Sequence, residues 1–151
     1  MTFGLAALAG ALAVVLGGGW NGGDDTAGED VAALVEQFSA GSSRSVVRRL
    51  ENAVAGGDGD ARSLALLGLG YQQLSRETGD ASWLTRSQEA LRSALAADKS
   101  DPVAVAGLAQ LAVTQHRFQE GIRLARRALR LDPRNAVALG ALGDALLATG
   151  R

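Results

Sequence analysis

The sequence predicts an all-α fold, and three observations point there. Ala and Leu together supply roughly a third of the 151 residues, and both are strong helix formers. Only 4% of the chain is aromatic against 47% apolar, so any core must be filled by small and aliphatic side chains. Beyond the N-terminal region, apolar residues recur at three- and four-residue intervals, and no stretch alternates with period two for long enough to make a strand.

Composition also narrows the function. With no cysteine, the chain has no disulfide framework, thiolate zinc site, Cys nucleophile or lipid-modified Cys anchor, and its one histidine leaves no multi-His metal site. Fifteen basic and sixteen acidic residues give a net charge of -1, so a general attraction for nucleic acid is not indicated. We expect no catalytic residue, no cofactor, no metal and no nucleic-acid partner.

Charge placement divides the chain. Residues 1–19 carry no charge and include the apolar run 3–16, which reads as an export signal or membrane anchor, although no Lys or Arg precedes it and no clean cleavage site follows. Residues 20–29 form a Gly/Asp linker. Every charge from Asp24 to Glu36 is negative, and the first cation is Arg44. The expected location is the cell envelope, membrane-anchored or exported. An Ala-rich, Arg-over-Lys composition fits a GC-rich bacterial genome.

The helical elements follow in order. Residues 30–60 read as a helix pair, with one stripe of Val31, Leu34, Val35 and Phe38 and a second of Val46, Val47, Leu50 and Val54 behind Ser42 and Ser43. The Gly56-Gly57-Asp58-Gly59-Asp60 run reads as a linker; its Asp falls one place early for a calcium-binding nonapeptide, and it lacks an EF-hand's acidic ladder. Leu64, Leu67, Tyr71 and Leu74 then resume the pattern. Thr78-Gly79-Asp80 interrupts it before Leu84, Leu91 and Leu95.

A shift of 34 residues lays the chain on itself. It brings Ala94-Leu95 onto Ala128-Leu129, Asp98 onto Asp132, and Leu108-Ala109 onto Leu142-Gly143. First-helix motifs are Leu64, Leu67-Gly68 and Tyr71, and again Leu139, Leu142-Gly143 and Leu146. Second-helix motifs are Leu84, Ser87, Leu91 and Ala94-Leu95, and again Phe118, Gly121, Ala125 and Ala128-Leu129, closed by Leu131-Asp132-Pro133. On these residues, 61–151 resembles the tetratricopeptide repeat family. The resemblance implies antiparallel helix pairs stacked as a short right-handed solenoid, with residues 30–60 as a possible degenerate earlier unit.

Physical chemistry agrees with the motif. Gly68 and Gly143 stand mid-helix although Gly costs about 1 kcal/mol against Ala there, which fits a neighbouring helix too close for a side chain. Asp132-Pro133 ends one helix, and Asn135 can cap the next. His116 reads as a turn residue between two helices.

Departures from the pattern matter too. About seven extra residues between Tyr71 and Ser87 place Arg76 to Ser82 in an enlarged loop, with Trp83 expected to clamp it. The helix over 136–149 has Asp144 as its only charge and lacks a mate within the sequence, so we expect the natural protein to continue, or that face to be covered by a partner or by self-association.

The resemblance implies a groove on the inner sides of the first helices, presenting Arg62, Leu69, Gln72, Gln73, Gln110, Val113, Thr114 and Asp144. It lacks the Lys, Arg and Asn cluster with which some members of the family hold a chaperone's carboxyl-terminal peptide, so an apolar helix or extended segment suits it better. Six arginines between Arg117 and Arg134 read as a solvated outer face, or as a surface for an anionic partner. The expected function is a noncatalytic protein-interaction scaffold, binding a partner helix or peptide. The alternative is the docking arm of a larger enzyme or envelope-assembly factor.

Overall fold

The computed structural model describes residues 43–57 and 59–150. The apolar run 3–16, the linker 20–29 and the first stripe of the 30–60 pair lie outside the described residues. Six helices and no strand are present among the described residues: α1 (Ser43–Ala55), α2 (Ala61–Thr78), α3 (Ser82–Ala97), α4 (Pro102–Thr114), α5 (Phe118–Leu131) and α6 (Ala136–Ala148). None of them is long and apolar enough to cross a membrane.

Short polar residues start and stop these helices. Asp60, Asp101 and Asn135 each accept a backbone N–H three residues on, at 2.7, 2.6 and 3.0 Å, satisfying donors that a helix start leaves free. Pro102 adds a preset φ at the first position of α4. Gly79, at φ 71°, ends α2 in the left-handed region, its N–H donating to the Ser75 carbonyl. His116 makes the turn after α4 at φ 58°, as expected of a turn residue.

The 34-residue shift is visible in the loops. Asp98 accepts from the Ser100 N–H at 2.8 Å, and its equivalent Asp132 accepts from the Arg134 N–H at 3.0 Å. The Asp101 N–H donates to the Asp98 carbonyl, and the Asn135 N–H to that of Asp132. One loop architecture has been used twice.

The enlarged loop is not there. α2 is 18 residues long where α4 is 13, and α3 is 16 where α5 is 14, so the insertion lengthens both helices. The connection is only Gly79 to Ala81. Arg76 to Thr78 belong to α2, where the Thr78 hydroxyl donates to the Leu74 carbonyl at 2.7 Å. Trp83 clamps the helix pair instead, stacking on Tyr71 with ring centroids 5.7 Å apart.

Packing proceeds between neighbours in sequence. α2 lies against α3, and α4 against α5; α2 also touches α4, α4 touches α6, and each of α1, α3 and α5 leans on the helix that follows it. Leu91 of α3 is fully buried between two glycines. A Cβ on Gly68 would stand 2.5 Å from Leu91 Cγ, and one on Gly107 would stand 2.7 Å from Leu91 Cδ2. Gly143 differs from the expectation: a Cβ there meets nothing within 4 Å.

Replacing Gly68 with Ala gains about 1 kcal/mol of helix propensity but forces a methyl into Leu91, and overpacking costs about 1–3 kcal/mol. We expect the variant to be less stable in urea unfolding. Gly143→Ala, with open space, should instead be stabilised by up to about 1 kcal/mol. Equal responses at the two positions would contradict this packing.

Candidate functional site

The residues expected to line a groove fall into two groups. Leu69, Gln72 and Gln73 are buried, because α2 is covered by α1, α3 and α4 together. Leu69 packs beside the Gly107 backbone. The Gln72 amide donates to the Ser87 hydroxyl at 3.1 Å and to the Gly107 carbonyl at 2.9 Å, tying three helices together. Gln73 accepts from Arg76 and donates to Glu77 at 2.7 Å along its own helix. These three are interior supports, not contact residues.

The second group remains accessible. Arg62 and Gln110 are half-buried, as is Val113, which abuts Gly121 of α5. Thr114 and Asp144 are exposed, and the Thr114 hydroxyl returns to the Gln110 carbonyl at 3.0 Å. Burial pushes the Asp101 carboxyl above its usual range, opposed by the Ala104 N–H and by the charge of Arg62. Arg62 thereby serves the α4 cap as well as the surface.

α6 carries two of the exposed large apolar side chains among the described residues. Leu139 is 52% exposed and Leu147 78% exposed, and with Gly143 they follow one another at four-residue spacing. Gly140 and Gly143 leave open space between them and the solvent. The opposite side of α6 is buried through Val137, Ala138, Ala141 and Ala145. A helix apolar on both sides, with one side uncovered, has room for another element.

A second feature was not anticipated from sequence. A cleft of about 370 Å³ lies between α1 and α3, lined by Arg44, Arg48 and Arg86 with Glu51, and floored by Val47, Leu74 and Trp83. The Arg86 guanidinium sits 4.9 Å from the Trp83 ring centroid and 3.9 Å from Glu51 Oε1. Glu51 Oε1 also accepts from the Tyr71 hydroxyl at 2.7 Å, and the Ser43 hydroxyl donates to Glu77 at 2.6 Å. These bonds hold α1 to the extended α2. The available signal was the four-residue spacing of Arg44 and Arg48, outside the Val46, Val47 and Leu50 stripe.

No protein-family model matches this chain, and no curated protein matches it.

Tyr71 is the one tyrosine in the chain, which makes its ionisation directly readable. Burial, then the hydrogen bond to Glu51, then that residue's charge push the phenol up to about 12 from 10.0. The folded state therefore holds this proton more tightly than the unfolded one. Its contribution to stability is complete below pH 10 and is lost as pH rises toward 12. Absorbance titration of the phenolate should give a midpoint near 12, moving down but not to 10 in Glu51→Gln. A midpoint near 10 in the folded wild-type chain would refute the buried, hydrogen-bonded placement.

Proposed function

We propose that this chain is a noncatalytic protein-interaction scaffold whose helices are windings of a short, right-handed tetratricopeptide-like solenoid. The repeated Asp98 and Asp132 loops support the repeat reading. So does the order of contacts, in which α2, α4 and α6 touch in series while α3 and α5 each pack on their own mate and on the next helix.

The site reading rests on one comparison within the molecule. Gly68 and Gly143 occupy the same motif position, Leu67-Gly68 and Leu142-Gly143. At Gly68 the space of a side chain is taken by Leu91 of α3; at Gly143 it is open. α6 thus presents the surface that α2 uses to receive a helix, flanked by Leu139 and Leu147. The ligand it suits is an amphipathic helix carrying a Leu where the two helices cross. Of the expected groove residues, Asp144 borders this face, while Leu69, Gln72 and Gln73 play no direct part in binding.

The test uses a fluorescent peptide with the sequence of Ser82–Ala97, the segment that supplies Leu91. We expect saturable binding to the full chain in the range of about 10–100 μM, weakened at least about tenfold by Gly143→Leu, which fills the socket, and by Leu147→Glu. Leu147 is exposed, so its substitution is expected to leave the fold intact, checked by circular dichroism. Absent binding, or binding indifferent to both changes, defeats the proposal. Concentration-dependent dimerisation through the same face, excluding the peptide, replaces it with self-association.

A further inference from the structure

Charge is sorted between the two kinds of helix. α1, α3 and α5 carry nine arginines, three on α1, two on α3 and four on α5, against Glu51, Glu89 and Glu120. All nine are exposed. α2, α4 and α6 carry only Arg62, Arg76, Glu77 and Asp144 between them. In a chain of net charge -1, the α1, α3 and α5 helices are strongly positive, balanced by carboxylates in the loops and before Arg44.

Arginines on a convex, well-hydrated helix surface gain little from an anion in water. The cleft between α1 and α3 differs, because there the guanidinium groups rim an apolar floor. Arg44 and Arg48 stand one helical turn apart and have no hydrogen-bond or ion-pair partner among the described residues. Val47, Leu74 and the Trp83 ring lie beneath them.

We propose that this cleft docks an acidic, leucine-bearing peptide segment of another protein, its carboxylates on Arg44 and Arg48 and its aliphatic side chain on the Trp83 floor. Spacing supports it: Cβ atoms one turn apart on a helix are about 6 Å apart, close to the roughly 7 Å between side chains two apart on an extended peptide. Size supports it as well. A volume of about 370 Å³ admits one or two side chains. Glu51 in the wall is paired with Arg86, which leaves Arg44 and Arg48 as the two cations for a peptide's separate carboxylates. The surface is separate from the α6 face, so either can fail without the other.

Trp83 is a built-in reporter once Trp20 is replaced by Phe. The full chain carrying Trp20→Phe is titrated with a capped hexapeptide alternating glutamate and leucine, its glutamine counterpart, inorganic phosphate, and vesicles one third phosphatidylglycerol. Expected is a saturable change in Trp83 emission with the glutamate peptide, at least about tenfold tighter than with the glutamine peptide, and weakened about tenfold by Arg48→Glu or Arg44→Glu. Raising salt should weaken it further. Both arginines are exposed and have no hydrogen-bond or ion-pair partner among the described residues, and circular dichroism of each variant checks folding.

Equal affinity for the glutamine peptide, or indifference to both charge reversals, overturns the proposal. Tighter binding of vesicles or phosphate overturns it in favour of those ligands. Binding that appears only after Asp24, Asp25, Glu29, Asp30 and Glu36 are neutralised also overturns it, and assigns the cleft to the chain's own acidic segment.

Discussion

Leu91 between Gly68 and Gly107 is the contact on which the arrangement depends. A side chain from α3 enters a notch that α2 and α4 form together, and neither glycine has space for a methyl group. The close approach also brings the Gln72 amide nitrogen within 2.9 Å of the Gly107 carbonyl, pairing a buried donor that would cost about 1–3 kcal/mol unpaired, while the Gln72 Oε1 is buried with no partner among the described residues. Ser87 of α3 takes the second amide bond. One leucine, two glycines and one glutamine therefore set the relative positions of three helices.

From that node the structure extends in both directions by different means. Toward the N-terminal side, the added turns of α2 and α3 provide Glu77 for Ser43 and Trp83 for Tyr71, and α1 is held by its buried Val46, Val47 and Leu50 and by the hydrogen bonds of Ser43 to Glu77 and of Tyr71 to Glu51. Toward α6 the side chains in contact are smaller, with Ala109, Ala125 and Ala141 at their centre. The first route yields a charged cleft beside Trp83. The second leaves α6 with Leu139 and Leu147 in solvent.

Much of this was legible in the residues. The 34-residue shift found two loops that share a hydrogen-bonding scheme, and Asn135 caps α6 as its type and place suggest. Gly68 was recognised as a close-approach position, but Gly107 was not, because its partner Leu91 lies on a helix of the preceding pair and no local pattern reveals it. The cap at Asp60 was hidden in a segment that reads as a linker. Extra residues near a turn look like a larger loop in one dimension, yet Arg76 to Thr78 keep helical hydrogen bonding and gain contact with α1.

The groove residues show where pattern reasoning stops. Gln72 and Gln73 are polar, and polarity on an amphipathic helix normally marks the side facing water. α2 is enclosed by α1, α3 and α4, so the Gln72 amide nitrogen and the Gln73 amide bond inside the protein instead. Leu91 couples α2, α3 and α4, so hydrogen exchange of Leu91→Ala should show faster amide exchange in all three helices together, with α6 less affected. Acceleration confined to α3 would contradict it.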